Sequence, residues 1–456
     1  MDFQIDLDRS RPLRSQVERE LRDGIRSGRL RPGTRLPPTR LFAEQVGVSR
    51  GVIVAAYAQL SAEGYLVAQY GGGTRVAEGL VQPAIKERRR PAARPRIRYD
   101  LRTGLPDASL FPRQTWSTAV TRSLRELPDA ALLYGPPQGM TQLRRAIAGY
   151  LGRVRSVRVD DEQTFITTGS SAALGILWQA LRARGARRVA FEDPCWSKIP
   201  LTIEQAGLEP VPVPVDEDGL VVIELTGRSV DAVVVAPAHQ YPTGAVLHPA
   251  RRAELIRWAH DQGALIVEDD YDAEYRYDGD PIAPLQSLAP ERVAYLGTSS
   301  KTFAPALRLG WLIVPSELAA EVARQHEITF AQPSALVQAS YAGLLERGEV
   351  DRHLRKTRRV YRGRRAALVS AVDGMLPHAR LCGGAAGLHM IAWLAPGTDE
   401  VLIAEEALRR GVGVDALRRD CAAYGPTQPA LVLGYGAISE PAIAPAIREL
   451  AACMSG

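Results

Sequence analysis

Hydrophobic positions recur along this chain with two different periods, and the change of period divides it. Leu13, Val17, Leu21 and Ile25 fall every fourth residue with charged residues between them, the pattern of an amphipathic helix that Gly28 ends. A second helix is expected to open at Pro37-Pro38, because proline is tolerated in a first helical turn. Gly47 then supplies a tight turn, and Ser49 can cap a third helix running to about Glu63. After Gly64 the stretch YLVAQYGGGTRVA alternates and turns on three glycines, which predicts a hairpin. From Tyr99 onward QTFITT, RRVAFED, DAVVVAP, GALIVEDD and RVAYLGT are short, near-continuous apolar runs, with helical stretches such as 171–184 and 249–261 between them. Buried strands alternating with helices predict an α/β domain on a mostly parallel sheet, whose ligands bind where the strands end. The expected layout is a helix-turn-helix unit at 1–78, a linker at 79–98 and the α/β domain at 99–456.

Charge follows the same division. The formal charge of the 456 residues is +6, but residues 1–98 hold 19 basic and 10 acidic side chains, a net of +9, and the remainder a net of −3. A basic first unit points to a polyanionic partner. The basic, proline-containing segment 79–98 shows no periodicity and reads as a tether. No apolar run approaches the ~20 residues of a spanning helix. The opening MDFQIDLDRS lacks the apolar core of a signal peptide. Cys195, Cys382, Cys421 and Cys453 are far apart, without zinc spacing or a disulfide framework. Membrane, secreted and zinc-finger classes are excluded on this pattern, and a cytoplasmic protein without a metal site is expected.

Three polar constellations follow predicted strands. TTGSSAAL (167–174) opens a helix with glycine and hydroxyls, offering free N–H groups and a helix dipole to a phosphate. VEDDYDAEY (267–275) gathers acids at a strand end, where a carboxylate could pair with a protonated ring nitrogen and a tyrosine lies two residues on. LGTSSKTFAPALRLGW (296–311) carries Lys301, with Arg308 seven residues later. Only four of the 57 basic residues are lysines. In a chain that otherwise uses arginine, a lysine here suggests amine chemistry that a guanidinium cannot perform, such as a Schiff base. Together the three fit pyridoxal phosphate (PLP), which has an aldehyde, a pyridine nitrogen and a phosphate to be held. Two weaker features have plainer readings. RHLRKTRRVYRGRR (352–365) could touch DNA but reads first as a long solvated basic helix, and Cys195 reads as a buried structural thiol rather than a nucleophile.

The pattern PLxxQ…LPPTR…GVSR…AY..L..EGYL…GGGTRV resembles the winged helix-turn-helix of GntR-type bacterial regulators. The later constellations resemble the type I aminotransferase fold, a large, mostly parallel sheet domain with a smaller C-terminal α+β subdomain. The fusion resembles the MocR/GabR subfamily over nearly the whole chain. That resemblance implies contact with promoter DNA through Arg40, Ser49, Arg50 and the wing around Tyr70–Gly72, and Arg35 offers an extra phosphate contact. It implies PLP linked to Lys301 as a Schiff base, Asp269 on the pyridine nitrogen and Tyr271 on the ring oxygen. Ser170, Ser171, Thr298 and Arg308 would hold the phosphate, Trp196 would stack on the ring, and Gln240 in HQYPTG would lie near the ring oxygen. Tyr134 would reach the phosphate of a neighbouring subunit, which implies a homodimer. Aminotransferases usually hold the substrate carboxylate with an arginine near the C-terminus; here the matching stretch LVLGYG places Val432, with Lys198 as a partial substitute. The expectation is a regulator sensing PLP or a small amine or amino acid, with an active aminotransferase as the alternative.

Overall fold

The fourfold apolar repeat forms α1 (Leu13–Arg26), followed by α2 (Thr39–Val46) and α3 (Arg50–Ala62). Val17, Leu21 and Ile25 of α1 pack against Phe42, Ile53, Leu60, Leu66 and Val76 in one buried cluster. Each such side chain contributes roughly 1.5–3 kcal/mol by leaving water, which is how a unit this small holds together without a disulfide. Gly47 ends α2 at φ +68°, a left-handed conformation that glycine adopts without strain. β1 (Leu66–Gln69) and β2 (Gly73–Val76) pair antiparallel, Leu66 opposite Val76 and Gln69 opposite Gly73. This is the expected three-helix, one-hairpin order.

The computed structural model describes residues 7–69, 72–78, 96–272, 274–278, 282–329, 332–421 and 428–454. It separates into two compact units, Met1–Arg94 and Pro95–Gly456. Tyr70 and residues 79–95 of the expected linker lie outside the described residues. Arg98, at the end of that linker, donates its backbone N–H to Gly411 and so belongs structurally to the second unit.

In the second unit β3 (Tyr99–Asp100) pairs with β14 (Val412–Gly413). One large sheet is built from β4 (Thr164–Thr167), β5 (Arg188–Asp193), β6 (Glu209–Asp216), β7 (Gly219–Leu220), β8 (Ala232–Val235), β9 (Leu265–Asp270), β10 (Val293–Thr298) and β11 (Gly310–Ile313). Their order is β4-β11-β10-β9-β8-β5-β6-β7. Six of the eight run in one direction, with β11 and β7 reversed. β11 is reversed because the return from β10, residues 299–309, is too short for a helical crossover. That return carries Lys301 and Arg308.

Side chains alternate across the sheet, so both faces need cover. Ala232 and Val234 face α6 (Ser170–Ala183), α7 (Lys198–Gln205) and α9 (Ser316–Thr329), while Val233 and Val235 face α8 (Pro249–Gln262). A third core joins α4 (Arg113–Glu126), α5 (Thr141–Arg155), α10 (Ala335–Glu346), α11 (Glu349–Met375) and α13 (Glu440–Met454). A smaller antiparallel sheet, β12 (Arg380–Cys382), β13 (His389–Trp393), β16 (Ala430–Gly434) and β15 (Asp415–Ala416), packs with α12 (Glu400–Arg409) as the expected α+β subdomain.

Candidate functional site

In the first unit Arg40, Ser49 and Arg50 are exposed around the α2–α3 turn. Ser49 is the exposed N-cap of α3, and its hydroxyl makes no cap hydrogen bond. Arg40 sits 3.7 Å from Glu44, an exposed pair of little energetic weight. Arg35 bridges to Arg75, and its guanidinium packs over Gly73 at the wing. Gly72 is half-buried in the hairpin turn.

In the second unit a cavity of about 360 Å³ opens at the carboxyl ends of the parallel strands. β4 delivers Ser170 and Ser171, the first residues of α6. Their N-cap, Gly169, takes φ +112°, and Arg308, itself left-handed at φ +49°, brings its guanidinium against Gly169. A cation, two hydroxyls and a helix N-terminus therefore converge, an arrangement suited to a phosphate. Thr298, at the end of β10, also lines the cavity and hydrogen-bonds Ser300. Trp196 lines it after β5, with Lys198 Nζ 5.6 Å from its ring centre.

β9 sorts its three consecutive acids by alternation. Glu268 accepts from the backbone N–H groups of Leu285 and Gln286, and Asp270 pairs with buried Arg155 at 2.6 Å and accepts from Tyr295. Asp269 points the other way, into the cavity, where its Oδ1 is buried without a hydrogen-bond partner among the described residues. Burial, with Asp270 and Asp272 nearby, pushes its carboxyl up to about 7. A buried unpaired carboxylate oxygen is costly, and a protonated pyridine nitrogen is the partner that would satisfy it. On this ground the residues fit PLP.

Lys301 Nζ donates to the Gly104 carbonyl at 2.8 Å inside the same cavity. Burial lowers its pKa below the usual lysine range, against the opposing pull of Asp272 and Asp269. Attack on an aldehyde needs the neutral amine, and this burial shifts Lys301 toward that form. The Tyr271 hydroxyl lies 3.1 Å from His239 Nδ1 and from the His239 carbonyl. His239 Nδ1 also meets Asp272 at 3.1 Å. Burial pulls His239 down, but Asp272 more than offsets this and its pKa is raised. The His389 ring lies 4.8 Å from that of His239, tilted by 43°, and burial drives its pKa well below the ordinary histidine value. The ligating atoms of His239, Asp272 and His389 lie within 4.8 Å of one another. Both His239 nitrogens are already engaged, Nδ1 with Asp272 and Nε2 with the Gly383 carbonyl at 3.2 Å, so His239, Asp272 and Tyr271 form a hydrogen-bonded network, while His389 Nε2 is buried without a hydrogen-bond partner among the described residues.

A gntR-family model of bacterial regulatory proteins matches residues 13–76, and a model for class I and II aminotransferases matches 107–410. The chain is 33% identical, over 97% of its length and 96% of the relative's, to the HTH-type pyridoxine biosynthesis transcriptional regulator PdxR of Corynebacterium glutamicum. It is also 33% identical, over 98% of its length and 94% of the relative's, to the probable rhizopine catabolism regulatory protein MocR of Rhizobium meliloti. The chain belongs to the MocR/PdxR-type family of GntR regulators. Its second unit is similar to the α-aminoadipate aminotransferase LysN of Thermus thermophilus, solved with N-(5'-phosphopyridoxyl)-L-leucine. That match has a TM-score of 0.71 and 26% identity, and covers 78% of this chain and 92% of the other.

One expected cofactor position in this MocR/PdxR-type regulator, Gln240, falls outside the cavity. Gln240 is buried but turned into its own loop, its Nε2 donating to the Pro194 and Tyr241 carbonyls and its Oε1 accepting from Thr243. The neighbouring Tyr241 lines the cavity instead, its hydroxyl donating to Asp420 at 3.1 Å and lying 2.9 Å from Thr103 Oγ1. Within one loop of HQYPTG, nothing in the sequence says which of two adjacent side chains turns inward. Tyr134 is 96% exposed and lines no part of this chain's cavity. Val432 is buried in β16 opposite Ile391 and Asp415, packed with Leu417 and Ala430. Among the described residues the cavity's cations are Lys198, Lys301 and Arg308. Cys195 is buried, and burial pushes its thiol well above the ordinary range, the setting of a structural thiol.

Proposed function

We propose that this regulator binds promoter DNA through its N-terminal unit and takes PLP in the second unit's cavity, with PLP itself as the signal. One observation carries the choice of signal. Among the described residues the cavity brings Ser170, Ser171, Asp269, Tyr271 and Lys301 together, and its one arginine is Arg308, which lies against Gly169 at the end proposed for the phosphate. By the family resemblance Val432 takes the place of a carboxylate-binding arginine, so an amino acid would find no bidentate partner there. The relative from Corynebacterium glutamicum is named as a regulator of pyridoxine biosynthesis, which agrees with this reading.

When bound, PLP supplies an aldehyde for a lysine amine and a ring that withdraws electrons. The residues' own work would be positioning. Arg308, Ser170, Ser171 and Thr298 would hold the phosphate, Asp269 would keep the pyridine nitrogen protonated, Tyr271 would orient the ring oxygen, and Trp196 would cover one face. Tyr134 sits beside Leu132 and Leu133 in an exposed apolar loop, and such a patch supports a homodimer in which this loop meets the partner subunit. Binding PLP would bias promoter affinity only through unequal affinity for two conformations.

The test is DNA binding by cofactor-free protein on the region upstream of its own gene, with and without PLP and with single amino acids. Promoter affinity that changes with PLP alone supports the reading; a change that requires an amino acid overturns the choice of signal. The intact Lys301, Asp269 and Tyr271 set also suits an aminotransferase, and sustained exchange of an amino-acid and keto-acid pair would favour that alternative.

A further inference from the structure

Helix α11 has no acidic residue from Arg352 to Val372. Its buried side, including Leu354, Tyr361 and Leu368, belongs to the third core. The arginines flanking that side are tied down. Arg358 donates to the Glu274 carbonyl, Arg364 to Asp107 and the Gly436 carbonyl, and Arg365 to Asp278. The other five cations, Arg352, Arg355, Lys356, Arg359 and Arg362, are exposed. At 3.6 residues per turn they fall on one face about 120° wide, and at 1.5 Å per residue they span about 15 Å.

None of the five makes an ion pair among the described residues, whereas exposed arginines on other helices of this unit do. Arg324 pairs with Glu321, and Arg409 and Arg410 pair with Glu406. Like charges three and four apart disfavour a helix, and the acids that begin α11 are paired elsewhere, Glu349 with Arg347 and Asp351 with Arg153. On the same side Arg113 and Arg122 of α4 share a cleft with Arg352 and Lys356. A sequence region with a net charge of −3 thus gathers unpaired cations on one surface.

We propose that this surface is a second DNA contact, in which the α11 stripe with Arg113 and Arg122 grips the phosphate backbone of the duplex. It rests on the reading that the N-terminal unit binds DNA. A small anion needs one or two converging cations, but a 15 Å rank rich in guanidinium suits a linear polyanion. The stripe carries no aromatic side chain for stacking on unpaired bases, which favours duplex over single strand. Contacts to phosphate add affinity and salt dependence without reading sequence.

The test uses full-length, PLP-loaded protein. Its affinity for a labelled duplex from upstream of its own gene, and for an unrelated duplex, is measured across a salt series. The variant R355Q/R359Q/R362Q is expected to lower the slope of log Kd against log salt by about 2–3, and R113Q/R122Q by about 2. Affinity for both duplexes should fall by similar factors, about tenfold or more at low salt. Cofactor absorbance and sedimentation should not change, and the charge-matched R324Q/R409Q/R410Q should bind as wild type does. An unchanged slope overturns the proposal, as does an equal loss in the charge-matched variant. Dissociation into single subunits also overturns it, since the stripe would then belong to an interface between copies. Wild-type protein that binds neither duplex overturns the DNA reading itself, and this proposal with it.

Discussion

Lys301 donates a hydrogen bond from Nζ to the carbonyl oxygen of Gly104, 2.8 Å away and 197 positions earlier in the chain. The β10–β11 return and the segment after β3 thereby close on one amine. Gly104 takes φ +72°, and a Cβ there would stand 3.3 Å from Nζ.

Lys301→Ala should therefore abolish the visible absorbance of PLP-treated protein and leave the cofactor removable by dialysis. Lys301→Arg should do the same, because a guanidinium keeps its proton. Gly104→Ala should retain the absorbance but release PLP more readily, at a cost of about 1 kcal/mol or more from the left-handed backbone. Persistent absorbance in Lys301→Ala would place the linkage elsewhere.

Asp269 predicts a pH dependence. Its folded pKa of about 7 lies above the unfolded value of 3.8. The stability it contributes is full below the unfolded value and is lost as pH rises through about 7. Glu192, raised by burial to about 8, acts in the same direction. The Tm of cofactor-free protein should fall between about pH 5 and pH 8, and less steeply in Asp269→Asn. Superimposable profiles would mean that Asp269 does not titrate in this range.

The network beneath Tyr271 depends on one glycine. Gly387 takes φ +76°, and a Cβ there would collide with His239 Cε1 and Asp272 Oδ2. Gly387→Ala should destabilise the second unit by about 2 kcal/mol or more in urea denaturation. A smaller effect would show that His239 and Asp272 can separate cheaply.

Arg40 and Arg50 are expected to meet phosphate or base edges at the α3 N-terminus. Replacing either with alanine should lower the salt slope of promoter binding by about 1 if the contact is to phosphate. A loss confined to certain base pairs would mark a base contact instead, worth about 1–3 kcal/mol.

Much of this protein was legible locally. The fourfold repeat from Leu13, the turn at Gly47 and the glycine-rich wing specify the first unit, because helix and turn preferences act over a few residues. Strand alternation explains why Asp269 faces the cavity while Glu268 and Asp270 do not. The scarcity of lysine singled out Lys301 without any structure. Tertiary structure decided what those periods cannot encode. It turned Tyr241 inward and Gln240 into its own loop, since loop side chains follow no period. It joined His239, Asp272 and His389 from three separate segments beside Lys301. It also left five cations of α11 exposed while burying or pairing the others, because only packing chooses which face of a basic helix meets solvent.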